Sequence, residues 1–400
     1  MILPVSSLPD SGRPSGRRHP FLALAEKTPA SRDRYVDFLR AFSICVVVLG
    51  HWLIASVYLR DGEIGGVNAL HVIPGIWMAT WLLQVMPVFF FVGGFANLVT
   101  LDSLGRKGGD YAGFISSRVE RLLRPTAVYL AVWIPIAIVV DVFTAFTDRE
   151  LELAFELLTR PLWFLGVYLI MIGLAPAMLK LHRRYGFKAL AVLALGAVLV
   201  DLVQFGLDIP FIGNFNYFFV WLFAHQLGFF YADGSLVRMG SKLFAAMAAG
   251  GLALLVLATA VGPYSASMVG LVNERSNTNP PTICILLLTI WQVGLAMLLR
   301  EPFNRRLARN RTWAKVIALN SMIMTMFLWH QTAVLITVGA LYPLGFPQPE
   351  TGTGSWWAVR PVWVGCLAVV LAILVLIFGR FERGVKPKTR SIETAGKAHA

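Results

Sequence analysis

The chain has 400 residues, of which 57% are hydrophobic and only 14% charged, with a formal net charge of +13 and a mean hydropathy of +0.67. Soluble domains carry about a quarter charged residues, so this composition excludes a water-soluble globular protein and points to a polytopic membrane protein. The basic excess lies in the stretches between apolar runs and is not a nucleic-acid footprint, so no nucleic-acid partner is expected.

Residues 1–33 are polar and basic, with Phe21 to Ala25 as a short apolar patch. A flexible cytoplasmic tail without a cleavable signal is expected there. Apolar runs near the ~20 residues needed to cross a bilayer follow at 36–58, 75–100, 122–143, 161–181, 188–206, 209–231, 241–261, 282–299, 315–341 and 358–379. Gly206 and Pro210 mark a turn between the fifth and sixth runs. The prediction is an all-α membrane bundle of about ten transmembrane helices over residues 34–380, with a second basic tail over 381–400.

Lysine and arginine test that count. With the N-terminus inside, 29 of the 35 fall on inside segments: the N-terminal tail, Arg106 to Arg124, Lys180 to Lys188, Arg238 with Lys242, Arg300 to Lys315, and the tail from Arg380. Only Arg60, Arg149, Arg160, Arg275 and Arg360 fall outside, and Arg40 lies in the first span. A bias that alternates through every loop supports ten spans with both termini cytoplasmic.

The first span carries unusual charges. Asp37 and Arg40 stand at its start, three residues apart and therefore on one helical face. His51 follows eleven residues after Arg40, close to three full turns, roughly 16 Å further along the same face. Ionisable groups at membrane depth survive mainly where they face a protein interior and perform a task. Imidazole titrates near pH 6.5 and can accept a proton at neutral pH. No Gly-x-Ser-x-Gly elbow is evident.

Elsewhere the sequence is blander. Cys45, Cys284 and Cys366 fall within spans, with no disulfide framework and no metal spacing, so no metal is expected. Arg118, Arg121 and Arg124 lie in a predicted cytoplasmic loop before Pro125, where the positive-inside bias alone can account for them. The stretch 148–156 reads as a solvated acidic outer loop. His330, in the ninth span behind Asn320, Ser321 and Thr325, reads first as a residue that joins helices and second as a functional one. Asp201, Gln204 and His225 are weaker candidates of the same kind.

Several of these elements together resemble the acyltransferase family 3 membrane proteins, bacterial ten-helix enzymes that O-acylate sugars, glycans and lipids. Arg34-Tyr-Val-Asp37-Phe-Leu-Arg40 leading to Gly50-His51 is similar to that family's N-terminal signature. Met86-Pro-Val-Phe-Phe-Phe-Val-Gly93-Gly94-Phe95 resembles the end of its second helix, with Gly93 where serine is usual. Arg118-Val-Glu-Arg121 looks like its Arg-x-x-Arg motif, Leu162-Trp163-Phe164-Leu165 like a fourth element, and Ser321 to His330 like its late helix. The resemblance implies an integral membrane O-acyltransferase of the bacterial inner membrane. It would move an acyl group, acetyl being expected, from cytoplasmic acyl-CoA to a hydroxyl of a glycan, glycolipid or lipid-linked precursor. His51 is then the expected general base. Asp37, counted with it, is expected to hold the Arg40 guanidinium in place. Arg34, Arg40, Arg118 and Arg121 are expected to bind the anionic end of the donor, since arginine makes bidentate phosphate contacts. The rival reading is a transporter or lipid flippase using the same polar stripe as a path, against which stands the lack of an internal repeat.

Overall fold

The computed structural model describes residues 20–60, 63–143, 148–270 and 276–383. Helix α1 (Pro20–Glu26) precedes α2 (Arg34–Ile54), which leads into a hairpin of β1 (Ala55–Arg60) and β2 (Glu63–Asn68). Then come α3 (Ala69–Val72), α4 (Met78–Leu83), α5 (Met86–Arg106), α6 (Tyr111–Phe143), α7 (Asp148–Thr159), α8 (Leu162–Tyr185) and α9 (Phe187–Gly206). A 3-10 turn (Pro210–Phe215) opens α10 (Asn216–Ala232), followed by α11 (Ser235–Arg238), α12 (Gly240–Val261), α13 (Ile283–Leu307), α14 (Asn310–Asn320), α15 (Ile323–Leu341) and α16 (Gly354–Arg383).

Local chemistry explains the departures from the predicted spans. Helix α2 starts where Asp33 accepts from Val36 N at 3.0 Å, an N-cap placed at the positive end of the helix dipole. It stops at Ile54 rather than near residue 58, because the chain turns into the hairpin, with Ala55 opposite Asn68. The second predicted span is two helices, α4 and α5, parted at Gln84 and Val85 ahead of Pro87. Gln292 Nε2 donates to the carbonyls of Trp81 and Gln84 at this break, at 2.9 and 3.0 Å. The segment of Arg118, Arg121 and Arg124, expected as a loop, belongs to α6, which runs on through Pro125 and Pro135. Asp110 accepts from Gly113 N at its start, so the helix begins well before the apolar run. The acidic stretch expected as a loop is the amphipathic helix α7, which buries Leu157 and leaves Glu152 and Glu156 outside. The ninth predicted span is broken at Ser321 and Met322, and Glu382 caps the new helix start by accepting from Met324 N and Thr325 N at 3.0 and 2.9 Å.

Among the described residues, nine helical segments are long and apolar enough to cross a membrane. Helix α10 is shorter, at 17 residues, yet it joins the same two ends of the bundle as they do. At one end Asn216 donates to Asp201 at 2.6 Å, while Asp201 accepts from Ile283 N at 2.8 Å. At the other, Tyr231 donates to Asp33 at 2.7 Å and accepts from Arg300 at 2.9 Å. With α10, ten helices among the described residues join the two ends of the bundle, in keeping with the ten predicted spans.

Contacts at the helix ends fall into two sets. Arg34 with Leu307, Arg183 with Asp102, His182 with Asp233 and Glu382 with Thr325 tie the basic-end segments together. Trp356 with Ser56, Gln348 with Leu59 and Trp81 with Ala266 tie the opposite ends. The helices therefore alternate in direction, as the basic residues predict. Helices α5 and α10 cross closely. A Cβ on Gly94 would meet His225 O at 1.9 Å, and one on Gly228 would meet Phe91 O at 2.1 Å. Small residues of this kind let backbones approach where lipid supplies no hydrophobic drive.

Candidate active site

His51 lies in the last turn of α2 and His330 in the middle of α15. Though 279 residues apart in sequence, their rings stack with centroids 5.1 Å apart and planes 14° apart. His51 Nδ1 is 2.8 Å from His330 Nε2. On its far side His330 Nδ1 donates to the Phe327 carbonyl at 2.6 Å. That carbonyl can only accept, so His330 carries its proton on Nδ1 and, when neutral, offers the Nε2 lone pair. His51 must then donate through Nδ1–H. Its Nε2 is left with a free lone pair. Trp52 Nε1 donates to the His330 carbonyl at 2.9 Å and binds the two helices beside the pair. His330 is fully buried, while His51 retains part of its surface, so a substrate can touch His51 alone.

A basic cluster stands at the other end of α2. Asp37, buried at 7% exposure, accepts from Arg40 at 3.2 Å and from Arg32 at 2.5 and 3.0 Å. This hydrogen bond to Asp37 raises the Arg32 pKa above its ordinary value. Arg40 Nε donates to Asn320 Oδ1 at 2.6 Å, and Asn320 donates in turn to the Asp37 carbonyl at 2.8 Å. The α14–α15 break places Asn320 there. Asp37 stands fourteen residues before His51, roughly 21 Å along the helix, so it holds Arg40 and is out of reach of chemistry at the imidazole.

The other arginines differ. Arg34 donates to the Leu307 carbonyl at 2.9 Å and lies over the Trp313 ring. Arg118 donates to the Ala96 carbonyl and to Thr100 Oγ1, pinning α6 to α5. Arg121 is exposed, lies near enough to Arg40 and Arg118 for their charges to interact, and has no carboxylate partner among the described residues. Arg40 and Arg121 thus keep donors to spare at this end, and the Arg118 Nε is also unpaired. Sequence reasoning ranked His330 below its place in the structure, because only the fold brings it to His51. His225, by contrast, is fully buried against Asn97 at 3.0 Å, inside the α5–α10 crossing.

A bundle of alternating helices thus holds a histidine pair on α2 and α15, with a cluster of arginines at the other end of α2. Residues 33–379 match the model of the acyltransferase 3 family, an acyltransferase domain, and the chain belongs to that family. No curated protein and no solved structure matches it.

Proposed function

We propose that this membrane acyltransferase takes an acyl group, acetyl being the expected one, from acyl-CoA on the cytoplasmic side of a bacterial inner membrane. The acceptor is a hydroxyl of a glycan, glycolipid or lipid-linked precursor. The observation that carries the reading is the chain of hydrogen bonds from the Phe327 carbonyl through His330 to His51, which leaves His51 Nε2 as a free base on the accessible side of the pair. The acceptor oxygen attacks the thioester carbonyl while His51 Nε2 takes its proton. Collapse of the tetrahedral intermediate breaks the C–S bond, and the proton passes to the departing thiolate. The imidazolium formed in between is shared with His330. The donor's phosphates meet Arg40 and Arg121, with Asp37 and Asn320 fixing Arg40, while Arg34 and Arg118 hold the helices that frame this cluster. Membrane lipids surround the exposed apolar flanks.

The test is transfer from labelled acetyl-CoA by purified protein, with His51→Gln beside wild type. Glutamine keeps a hydrogen-bonding group at this position but cannot take a proton near neutral pH. Transfer should fall by about 10²–10⁴-fold, the usual contribution of general acid–base assistance. Acetyl-CoA affinity should persist, because the basic cluster lies roughly 16 Å away. Near-normal turnover in well-folded His51→Gln protein would refute the assignment.

A further inference from the structure

On the side of the bundle opposite the basic end, a small open cleft of about 30 Å³ lies between the β-hairpin and the start of α16. Its walls include Ser56, Tyr342, Phe346, Trp356 and Trp363. Among these aromatic rings lies one charged side chain, Arg360, only 7% exposed. Its guanidinium stacks 3.9 Å above the Trp356 ring. The ring is itself fixed, since Trp356 Nε1 donates to Ser56 Oγ at 3.1 Å, and Thr351 donates to the same oxygen at 2.8 Å. Among the described residues Arg360 has no carboxylate partner, and its Nε has no hydrogen-bond partner.

A buried cation without a counter-ion is costly, and the face of one tryptophan offsets only part of that cost. Elsewhere in this chain the deep arginine Arg40 has its carboxylate, Asp37. Arg118 also lacks a carboxylate but donates to the Ala96 carbonyl and to Thr100, whereas among the described residues Arg360 has only the Trp356 ring, which leaves its fork open to an anion. A guanidinium presents a planar fork suited to two oxygens of one group. The surrounding rings suit a ligand whose remainder is a sugar face or a lipid stem rather than a solvated ion.

We propose that this cleft is an anion subsite in which Arg360 and Trp356 hold a phosphate group carried by the acceptor. The inference rests on the acyltransfer reading above and adds to it the side of approach and the chemical class of the acceptor. Ser56 lies two residues beyond α2, so the cleft is roughly 10 Å past His51 along the chain. A phosphate held there leaves the attached sugar to reach back toward the His51 imidazole. Donor and acceptor would then enter from opposite ends of α2.

The experiment measures thermal unfolding of the purified full chain in zwitterionic nanodiscs while inorganic phosphate is titrated, for wild type, Arg360→Met and Arg360→Lys. Wild type should be stabilised saturably. Arg360→Met should be at least as stable as wild type without phosphate, because an uncompensated charge has been removed, and should lose this saturable phosphate effect. Any phosphate effect at the cytoplasmic arginines persists in that variant, so only the difference between proteins counts. Arg360→Lys should respond with about tenfold weaker phosphate affinity. A parallel series in nanodiscs containing phosphatidylglycerol distinguishes the sources. If the anionic lipid removes the Arg360-dependent phosphate response, a headgroup occupies the same subsite. If it does not, the phosphate belongs to a water-accessible acceptor. Equal phosphate responses in wild type and Arg360→Met would overturn the proposal, as would a loss of stability in both variants with no phosphate effect in wild type. Release of CoA to water from acetyl-CoA, followed in wild type, tests the acyltransfer reading separately. Loss of that activity in wild type would count against the acyltransfer reading and leave the phosphate result standing.

Discussion

An imidazole serves as a base only if the nitrogen facing the substrate is the unprotonated one. In this chain that choice is made by the Phe327 carbonyl, which takes the His330 Nδ1 proton and so turns the His330 Nε2 lone pair toward His51 Nδ1. In the proposed mechanism His330 acts through His51 and touches no reacting atom, which makes it a positioning residue. Replacing His330 by alanine should lower kcat about ten- to a hundredfold, less than the loss from His51→Gln, with KM for acyl-CoA little changed. His330→Gln should recover part of the loss, since its side-chain oxygen can accept from His51 Nδ1–H. The double variant His51→Gln, His330→Ala should be no slower than His51→Gln alone, because the second residue works only through the first. Additive losses would make His330 an independent participant. The sequence showed His51 plainly, as a lone titratable group deep in an apolar run. It showed His330 only as one polar residue among several, because pairing across 279 positions is a property of the fold. Arg360 was hidden differently. In sequence it is one outer arginine among five, and only its burial against Trp356 sets it apart.

At the scale of elements, hydropathy located the helices well and their interruptions poorly. A window of apolar residues looks the same whether the backbone continues or turns, provided that something supplies the missing hydrogen bonds. Here Gln292 answers the carbonyls at the α4–α5 break, and Glu382 caps α15. Both partners are remote in sequence, so neither break was visible. The acidic stretch that forms α7 was misread because its charges outweighed the helical spacing of its leucines. The α5–α10 crossing was half visible. Gly93 drew notice as a departure from the usual serine, yet a Cβ there meets only the Tyr168 ring, at 2.8 Å. Gly94 is the tighter position, since its added methyl would strike backbone at 1.9 Å. Gly94→Ala should force the two helices apart and lower stability by about 1–3 kcal/mol or more, the range for overpacking a tight core. Gly50→Ala, beside His51 but facing open space, should leave stability within about 0.5 kcal/mol of wild type. Thermal unfolding of the two variants in detergent checks this, and equal behaviour would mean that the crossing can relax.

For the whole molecule, end contacts and basic residues give one answer about direction. Every hydrogen bond named at a helix end joins segments assigned to the same side. Single cysteines placed at Lys107, Arg184 or Arg309, after removal of Cys45, Cys284 and Cys366, should resist an impermeant thiol reagent added to intact cells. Cysteines at Pro263 and Glu350 should react. A reactive position 309 would undo the ten-crossing arrangement. The overall plan was legible because bilayer thickness and the cost of moving arginine across it constrain every segment separately. What occupies the interior was less legible, because it depends on which helices touch. Helix α2 is unbroken from Arg34 to Ile54, and an unbroken rod also serves as a ruler. It sets the backbone positions of Arg40 and His51 roughly 16 Å apart along its axis. A donor whose acyl carbon sits directly on its phosphate, such as an acyl phosphate, is too short to engage both marks at once. A donor with a long neutral arm between the two can. On the acyltransfer mechanism proposed above, the helix would sort activated acyl donors by length, before any side chain inspects the acyl group itself.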